Sequence, residues 1–257
     1  MRYSLLAGGK RLRPVLTLAT CASLGEESDR VLPSAAALEL VHTYSLIHDD
    51  LPAMDDDELR RGRPTCHVVY GEATAILAGD ALFAEAVRLV CEEQPGEPAV
   101  RLEILTELSR ATGVGGMVGG QFLDLAGAGR DSIETLRAVH ALKTGCLIRC
   151  AVRCGLAVAG PDDAVARDYD AFAQELGLGF QIVDDILDVE GSSADMGKET
   201  GSDARSGTAT YVSLLGADGA REAAAASRSR ALEILDGLPG DTEDLRAIAA
   251  LIYSRRG

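Results

Sequence analysis

Apolar residues recur three and four positions apart along nearly the whole of this 257-residue chain. That spacing belongs to helices that bury one face against their neighbours. Leu38, Val41, Tyr44, Ser45 and His48 follow it in one segment, and Ala75, Leu77, Ala78, Leu82 and Val87 in the next. Further helices are predicted over 100–110, 132–159, 165–188, 220–235 and 241–253. The breaks between them are short and rich in proline and glycine, as in Gln94-Pro95-Gly96-Glu97-Pro98 and Gly160-Pro161-Asp162. Short breaks suit antiparallel neighbours in a bundle. Asp131 and Asp241 stand where N-caps are expected. Only Cys66–Tyr70 carries a hint of strand alternation. The reading is a single all-α domain over 1–257.

Composition narrows the function classes. There are 40 acidic against 25 basic side chains, a net charge of −15, which disfavours a nucleic-acid partner or an anionic membrane surface. Aromatic residues make up 4% and tryptophan is absent, so platforms for stacking bases are not expected. No apolar stretch reaches the ~18–20 residues that cross a bilayer, so no stable membrane association is expected. The start of the chain resembles a signal peptide only loosely, because its basic cluster is split and no small-residue cleavage site follows. Cys146, Cys150 and Cys154 recur every four residues, along one side of a helix. They read as small buried residues in a reducing cytosol rather than as a metal or redox site, and the expected localisation is cytoplasmic.

Two acidic clusters carry the chemistry. The first is Asp49-Asp50-Leu51-Pro52-Ala53-Met54-Asp55-Asp56-Asp57-Glu58; the second is Asp184-Asp185-Ile186-Leu187-Asp188. Each follows an apolar run, Tyr44-Ser45-Leu46-Ile47 or Phe180-Gln181-Ile182-Val183, so neither reads as a solvated surface. Asp184 and Asp188 share a helix face, where like charges repel unless a cation intervenes. Pro52 stops the first helix, so Asp49 and Asp50 end it and Asp55 turns back from the next segment. Clusters with oxygen donors alone suit Mg²⁺, which keeps waters and bridges carboxylates to phosphates.

Basic groups stand beside these clusters. Gly8-Gly9-Lys10-Arg11-Leu12-Arg13-Pro14 sets a lysine and an arginine after a glycine bend, able to grip a diphosphate. Arg60 and Arg61 follow the first cluster and His42 precedes it. The chain has only three lysines, Lys10, Lys143 and Lys198, and each lies beside a glycine or a Thr-Gly pair.

Seven segments together identify a family. GGKRLRP (8–14), HTYSLIHDDLPAMDDDELRRGRPTCH (42–67), GEATAILAGDAL (71–82), GGQFLDL (119–125), LKTG (142–145), GFQIVDDILD (179–188) and GKETGSD (197–203) resemble, in order and spacing, the trans-prenyltransferases or polyprenyl diphosphate synthases. The bacterial farnesyl/geranylgeranyl type is the nearest in pattern. The resemblance implies an isoprenoid-synthase-type helical bundle around a deep central cavity. It also implies a homodimer and three Mg²⁺ ions with diphosphate bound.

By motif match, Asp49, Asp55 and Asp184 are the expected metal ligands, with Asp50 and Asp188 in support; Asp185, Lys143 and Lys198 complete the catalytic set. Lys10, Arg13, His42 and Arg61 are expected to hold isopentenyl diphosphate. Arg60, Lys143, Thr144, Gln181 and Lys198 are expected to hold the allylic diphosphate. The reaction implied is ionisation of the allylic ester, attack by the isopentenyl double bond and loss of a proton.

Two departures from the family pattern stand out. Thr208 occupies a position where members often carry a lysine, and members usually begin one helix before Arg2. These leave a non-catalytic regulatory subunit as an alternative, although its aspartate motifs would be expected to be damaged. A class I terpene cyclase fits poorly, because its second motif needs an Asn/Asp–Ser/Thr–Glu triad and this chain has no asparagine. Product length turns on Tyr44 and Ser45. Tyr44 lies five positions before Asp49, roughly 7.5 Å along a helix axis, although Ser45 is more directly below in helical phase. A bulky residue there, with two extra residues inside the first motif, resembles the farnesyl-producing pattern. A C15 product is expected, with C20, the geranylgeranyl diphosphate synthase reaction, as the alternative.

Overall fold

A computed structural model describes residues 1–190 and 209–254 of the chain. The first helix, α1 (Arg2–Leu5), is a single turn, and α2 (Leu12–Ser23) follows the glycine bend. A 3₁₀ turn (Ser28–Val31) leads into α3 (Leu32–Asp49), which tolerates Pro33 because a first-turn N–H has no intrahelical acceptor. After the first acidic cluster comes a minimal hairpin, β1 (Leu59–Arg60) against β2 (Arg63–Pro64). Then follow α4 (Cys66–Tyr70), α5 (Glu72–Glu93), α6 (Pro98–Thr112), α7 (Met117–Leu125) and α8 (Ile133–His140). A π-helical turn (Ala141–Gly145) joins α8 to α9 (Cys146–Ala159). The chain continues through α10 (Asp163–Glu190), α11 (Tyr211–Gly237, broken at Gly216) and α12 (Glu243–Tyr253).

The described residues form an all-α bundle with α9 at its centre. That helix packs against α2, α6 and α10, burying Leu147, Ile148, Ala151, Val152 and Leu156. Around it, α3 lies along α5, and α10 along α11. All six cysteines are free; Cys150 and Cys154 are buried with their sulfurs 4.0 Å apart and serve as small core residues.

Several local expectations are corrected. Cys66–Tyr70 is a helical turn, its alternation too brief to recruit a partner strand. The stretch over 132–159 is not one helix, because the π turn interrupts it. Ser132, not Asp131, caps α8 by accepting the Thr135 N–H. Asp241 acts one residue outside the cap, accepting the Glu243 N–H. Leu77 shares a helix with buried Ala75, Ala78 and Leu82 yet is 67% exposed, so the apolar character of α5 extends onto its outer face.

Gln94, in the break after α5, is fully buried. Its amide oxygen accepts from the Ser34 hydroxyl and N–H, and its nitrogen donates to the Arg30 carbonyl at 2.7 Å. One side chain therefore pins the end of α5 to the start of α3. Gln94→Leu keeps the bulk but orphans these groups. It should destabilise the protein by about 2–4 kcal/mol, read as a lower urea midpoint at an unchanged slope.

Candidate active site

The first acidic cluster is built by the abrupt end of α3. Asp49 is its last residue and Asp50 its C-cap, and the Asp55 N–H returns to the Asp49 carbonyl at 2.9 Å. This is the fold-back expected from Pro52. Asp50 is 3% exposed and accepts from Arg60 Nε at 2.5 Å; Arg60 also reaches Asp57 at 3.3 Å. Arg61 and Gly62 form the hairpin turn with φ of 54° and 71°, the paired positive angles of a type I′ turn. Burial, then the neighbouring charge of Asp55, pushes the Asp49 carboxyl up to about 6, although Lys143 and Arg60 pull the other way. Asp49 is therefore a crowded, partly desolvated carboxylate for which a cation would be the natural relief.

The second cluster lies on α10 and is joined to the first through the π turn. Thr144 donates to the Gln181 amide oxygen at 2.9 Å, and the Gln181 amide donates to Asp185 Oδ1, also at 2.9 Å. The other oxygen of Asp185 accepts the Tyr211 N–H at 2.7 Å, so this buried carboxylate ties α10 to the start of α11. Asp184 is exposed, and Asp188 is 7% exposed. Lys143, one residue before Thr144, donates to Asp124 Oδ2 at 2.6 Å. Burial opposes the charge of Lys143, but Asp124, then Asp49 and Asp55, outweigh it and hold its pKa above the ordinary lysine value. The π turn thus carries a cation toward the first cluster and a hydroxyl toward the second. Close packing sets its place: a β-carbon on Gly120 of α7 would lie 2.2 Å from the Lys143 backbone nitrogen.

A cationic cluster adjoins the first motif. Arg13 is buried, and desolvation lowers its pKa to about 10. Burial, then the field of Arg13, Arg61, Arg60 and Arg11, holds His42 well below the usual histidine range. Lys10 lies exposed on the bend before α2. Among the described residues, buried polar groups beside these motifs without a hydrogen-bond partner include Arg13 Nε, the Gln121 amide and His140 Nδ1. An anion docking at Arg13 would supply the missing acceptor. Lys198 and Thr208 lie outside the described residues.

Tyr44 is half-buried between α3 and α5, edge-on to His48 at 5.7 Å and to Phe83 at 5.6 Å. Burial, then Asp49, pushes its hydroxyl up to about 12. Ser45 turns its hydroxyl back to the His42 carbonyl, at 3.0 Å. Sequence reasoning missed Asp124, although it lies inside the GGQFLDL segment. It also missed Glu39, whose only signal was a carboxylate inside an apolar run.

The donors available to a metal, Asp49, Asp50 and Asp55 before the hairpin and Asp184 and Asp188 on α10, are all oxygen. Among the described residues no three of them close a metal site unaided. Such an open set fits Mg²⁺, a small hydrated cation whose shell is completed by waters and phosphate oxygens.

A helical bundle with two acidic motifs and a guanidinium cluster gathers groups suited to a metal-bound phosphate ester. The chain belongs to the Polyprenyl synthetase family, whose pattern matches residues 1–252, and is a prenyltransferase. It is 46% identical to the farnesyl diphosphate synthase of Geobacillus stearothermophilus over 99% of this chain and 87% of that one. It is also 44% identical to a geranylgeranyl diphosphate synthase of Cyanophora paradoxa, over 85% and 74% respectively. Among solved structures it resembles a geranyltransferase of Helicobacter pylori complexed with magnesium and isoprenyl diphosphate. That likeness has a TM-score of 0.91 and 35% identity over 99% of this chain and 87% of that one.

The raised pKa of Asp49 has a sign that can be checked. Its ionised form is disfavoured in the fold, so stability without metal is penalised above about 6 and recovers as pH falls through that value. Asp49→Asn should therefore stabilise the metal-free protein at pH 7.5 by about 1 kcal/mol, or about 2–4 °C. The gain should shrink below pH 5 in thermal melts.

Proposed function

We propose that the protein condenses isopentenyl diphosphate with dimethylallyl and geranyl diphosphates to give farnesyl diphosphate. The observation that carries this reading is the π turn, which sets Lys143 beside Asp49 and Asp55, and Thr144 against Gln181 on the helix of the second motif. Cationic and hydrogen-bonding groups thereby line the space where an allylic diphosphate would leave. Three Mg²⁺ ions held by Asp49, Asp55 and Asp184, with Asp50 and Asp188 in support, would neutralise that leaving group.

The side chains divide the remaining work. Arg60, Lys143, Thr144, Gln181 and Lys198 bind the allylic diphosphate and orient its ester oxygen. Asp185 holds Gln181 in place from behind. Lys10, Arg13, His42 and Arg61 hold isopentenyl diphosphate with its double bond toward the allylic carbon. When the C–O bond breaks, its electron pair leaves with diphosphate. The π electrons of isopentenyl diphosphate form the new C–C bond, and loss of a proton to the released diphosphate restores a double bond.

Homodimerisation is supported by the apolar outer faces of α5 and α6, where Ile76, Leu77, Phe83 and Leu102 are exposed. Cytoplasmic localisation is the accompanying reading. Among the described residues no helix is long and apolar enough to cross a membrane.

Purified protein with labelled isopentenyl diphosphate tests the whole proposal. Turnover should require Mg²⁺ and fall at least a hundredfold in Asp49→Ala and in Asp184→Ala, while helical circular dichroism persists. This corresponds to about 2–4 kcal/mol of lost transition-state stabilisation. Near-normal turnover in either variant would overturn the assigned roles, and a regulatory subunit would show no turnover at all.

Product length is a separate test. Tyr44, wedged between Phe83 and His48 and close enough to Asp49 to feel its charge, supports a C15 limit. Tyr44→Ala should shift the dephosphorylated products toward C20 or longer on chromatography. An unaltered distribution would mean that Tyr44 is not the floor, and a wild-type C20 product would mean that it is not a limit.

A further inference from the structure

Glu39 stands one helical turn before His42, inside the buried apolar run of α3, and is 7% exposed. A carboxylate so placed is tolerated only with a matched cation. The guanidinium of Arg11 donates to Glu39 Oε1, and its second amino group donates to the Leu5 carbonyl at 2.5 Å. Arg11 is the N-cap of α2 and adopts a left-handed φ of 51°, a backbone state that a side chain bearing a β-carbon keeps only when its surroundings enforce it. The field of Glu39 also supports the charges of Arg13 and Arg61 against their burial. Arg61 in turn donates to the Gly8 carbonyl. The segment 8–11, which carries Lys10, is thus fastened at one end by Arg61 and at the other by the Arg11–Glu39 pair.

We infer that Glu39, acting through Arg11, is a positioning residue for isopentenyl diphosphate: it is the counter-charge that lets three guanidiniums gather around one diphosphate position and fixes the Lys10 segment beside them. This rests on the assignment of Lys10, Arg13 and Arg61 to that substrate in the preceding subsection. The inference has a definite sign. Removing a negative charge from an anion site would tighten diphosphate binding if electrostatics alone mattered. If Glu39 positions the site, its removal releases Arg11, lets the like charges spread and loosens binding. The allylic side, organised by Asp50–Arg60 and Asp124–Lys143, is fastened independently.

Glu39→Gln, Arg11→Met and the double variant test this in the full-length protein. Two readouts are needed: steady-state kinetics with each substrate varied in turn, and calorimetric titration with isopentenyl diphosphate alone. KM and Kd for isopentenyl diphosphate should rise at least tenfold in both single variants, with KM for geranyl diphosphate changing less than threefold. The double variant should be no worse than the poorer single one, because both remove the same pair. Unchanged or tightened binding of isopentenyl diphosphate would overturn the inference, as would an equal rise in both KM values. If Glu39→Gln fails to fold, Arg11→Met reads the same pair from its more exposed end. A wild-type protein that does not condense the substrates would defeat the functional reading instead, and the titration would still decide the role of the pair.

Discussion

Burying Asp50 at the end of α3 imposes a condition that the neighbouring structure meets. A carboxylate with 3% of its surface exposed needs a cation in contact, and Arg60 is delivered to it by the turn that reverses the chain after the acidic cluster. The two-residue strands leave little freedom in that reversal, so once Arg60 is fixed, Arg61 is carried to the other side, toward Gly8. One ion pair therefore sets the orientation of two adjacent arginines in two different directions. The buried acid is matched, while Asp55, Asp56 and Glu58 stay at the surface. That division keeps the cost of gathering so many carboxylates within what a marginally stable fold can bear.

The same division recurs in the second motif. Asp185 is buried and fully engaged by Gln181 and the backbone of Tyr211, whereas Asp184 remains exposed. Within each run the buried acid, Asp50 or Asp185, braces the fold, and an acid beside it, Asp55 or Asp184, lies at the surface. Asp185, and Asp124 and Glu39 outside these runs, each hold one neighbouring side chain: Gln181, Lys143 and Arg11 respectively.

Much of this was legible before any coordinates. Helices with a strong three-and-four period, such as α3 and α10, declare themselves, and Pro52 is enough to place the fold-back of Asp55 on Asp49. The order of the motifs was legible for the same reason, since each depends on residue types at fixed spacing. What stayed hidden depends on relations between distant segments. The π turn at 141–145 leaves no local signature, because nothing in Ala-Leu-Lys-Thr-Gly by itself separates a widened turn from a regular one; its close packing against Gly120 belongs to the tertiary structure. Asp124 and Glu39 read as ordinary acids until their partners, 19 and 28 residues away, are in place. Leu77 fits the buried period and is nonetheless exposed, because periodicity cannot tell a face that packs within the chain from one that lies on its surface.

The widened turn also makes local regularity and chemistry opposed quantities in this chain. A π turn is an α-helix carrying one residue more than its hydrogen-bond ladder can use. Deleting a single residue between Ala141 and Gly145 would let α8 run into α9 as one unbroken helix, with a better ladder and no bulge. The helices on either side would keep their mutual phase, because the extra residue is absorbed within the turn, and the change would fall on Lys143 and Thr144 themselves. Lys143 could no longer face Asp124 while Thr144 faced Gln181. The shorter sequence would be the better helix, and what the extra residue supplies is a place on the turn from which two adjacent side chains reach two different helices.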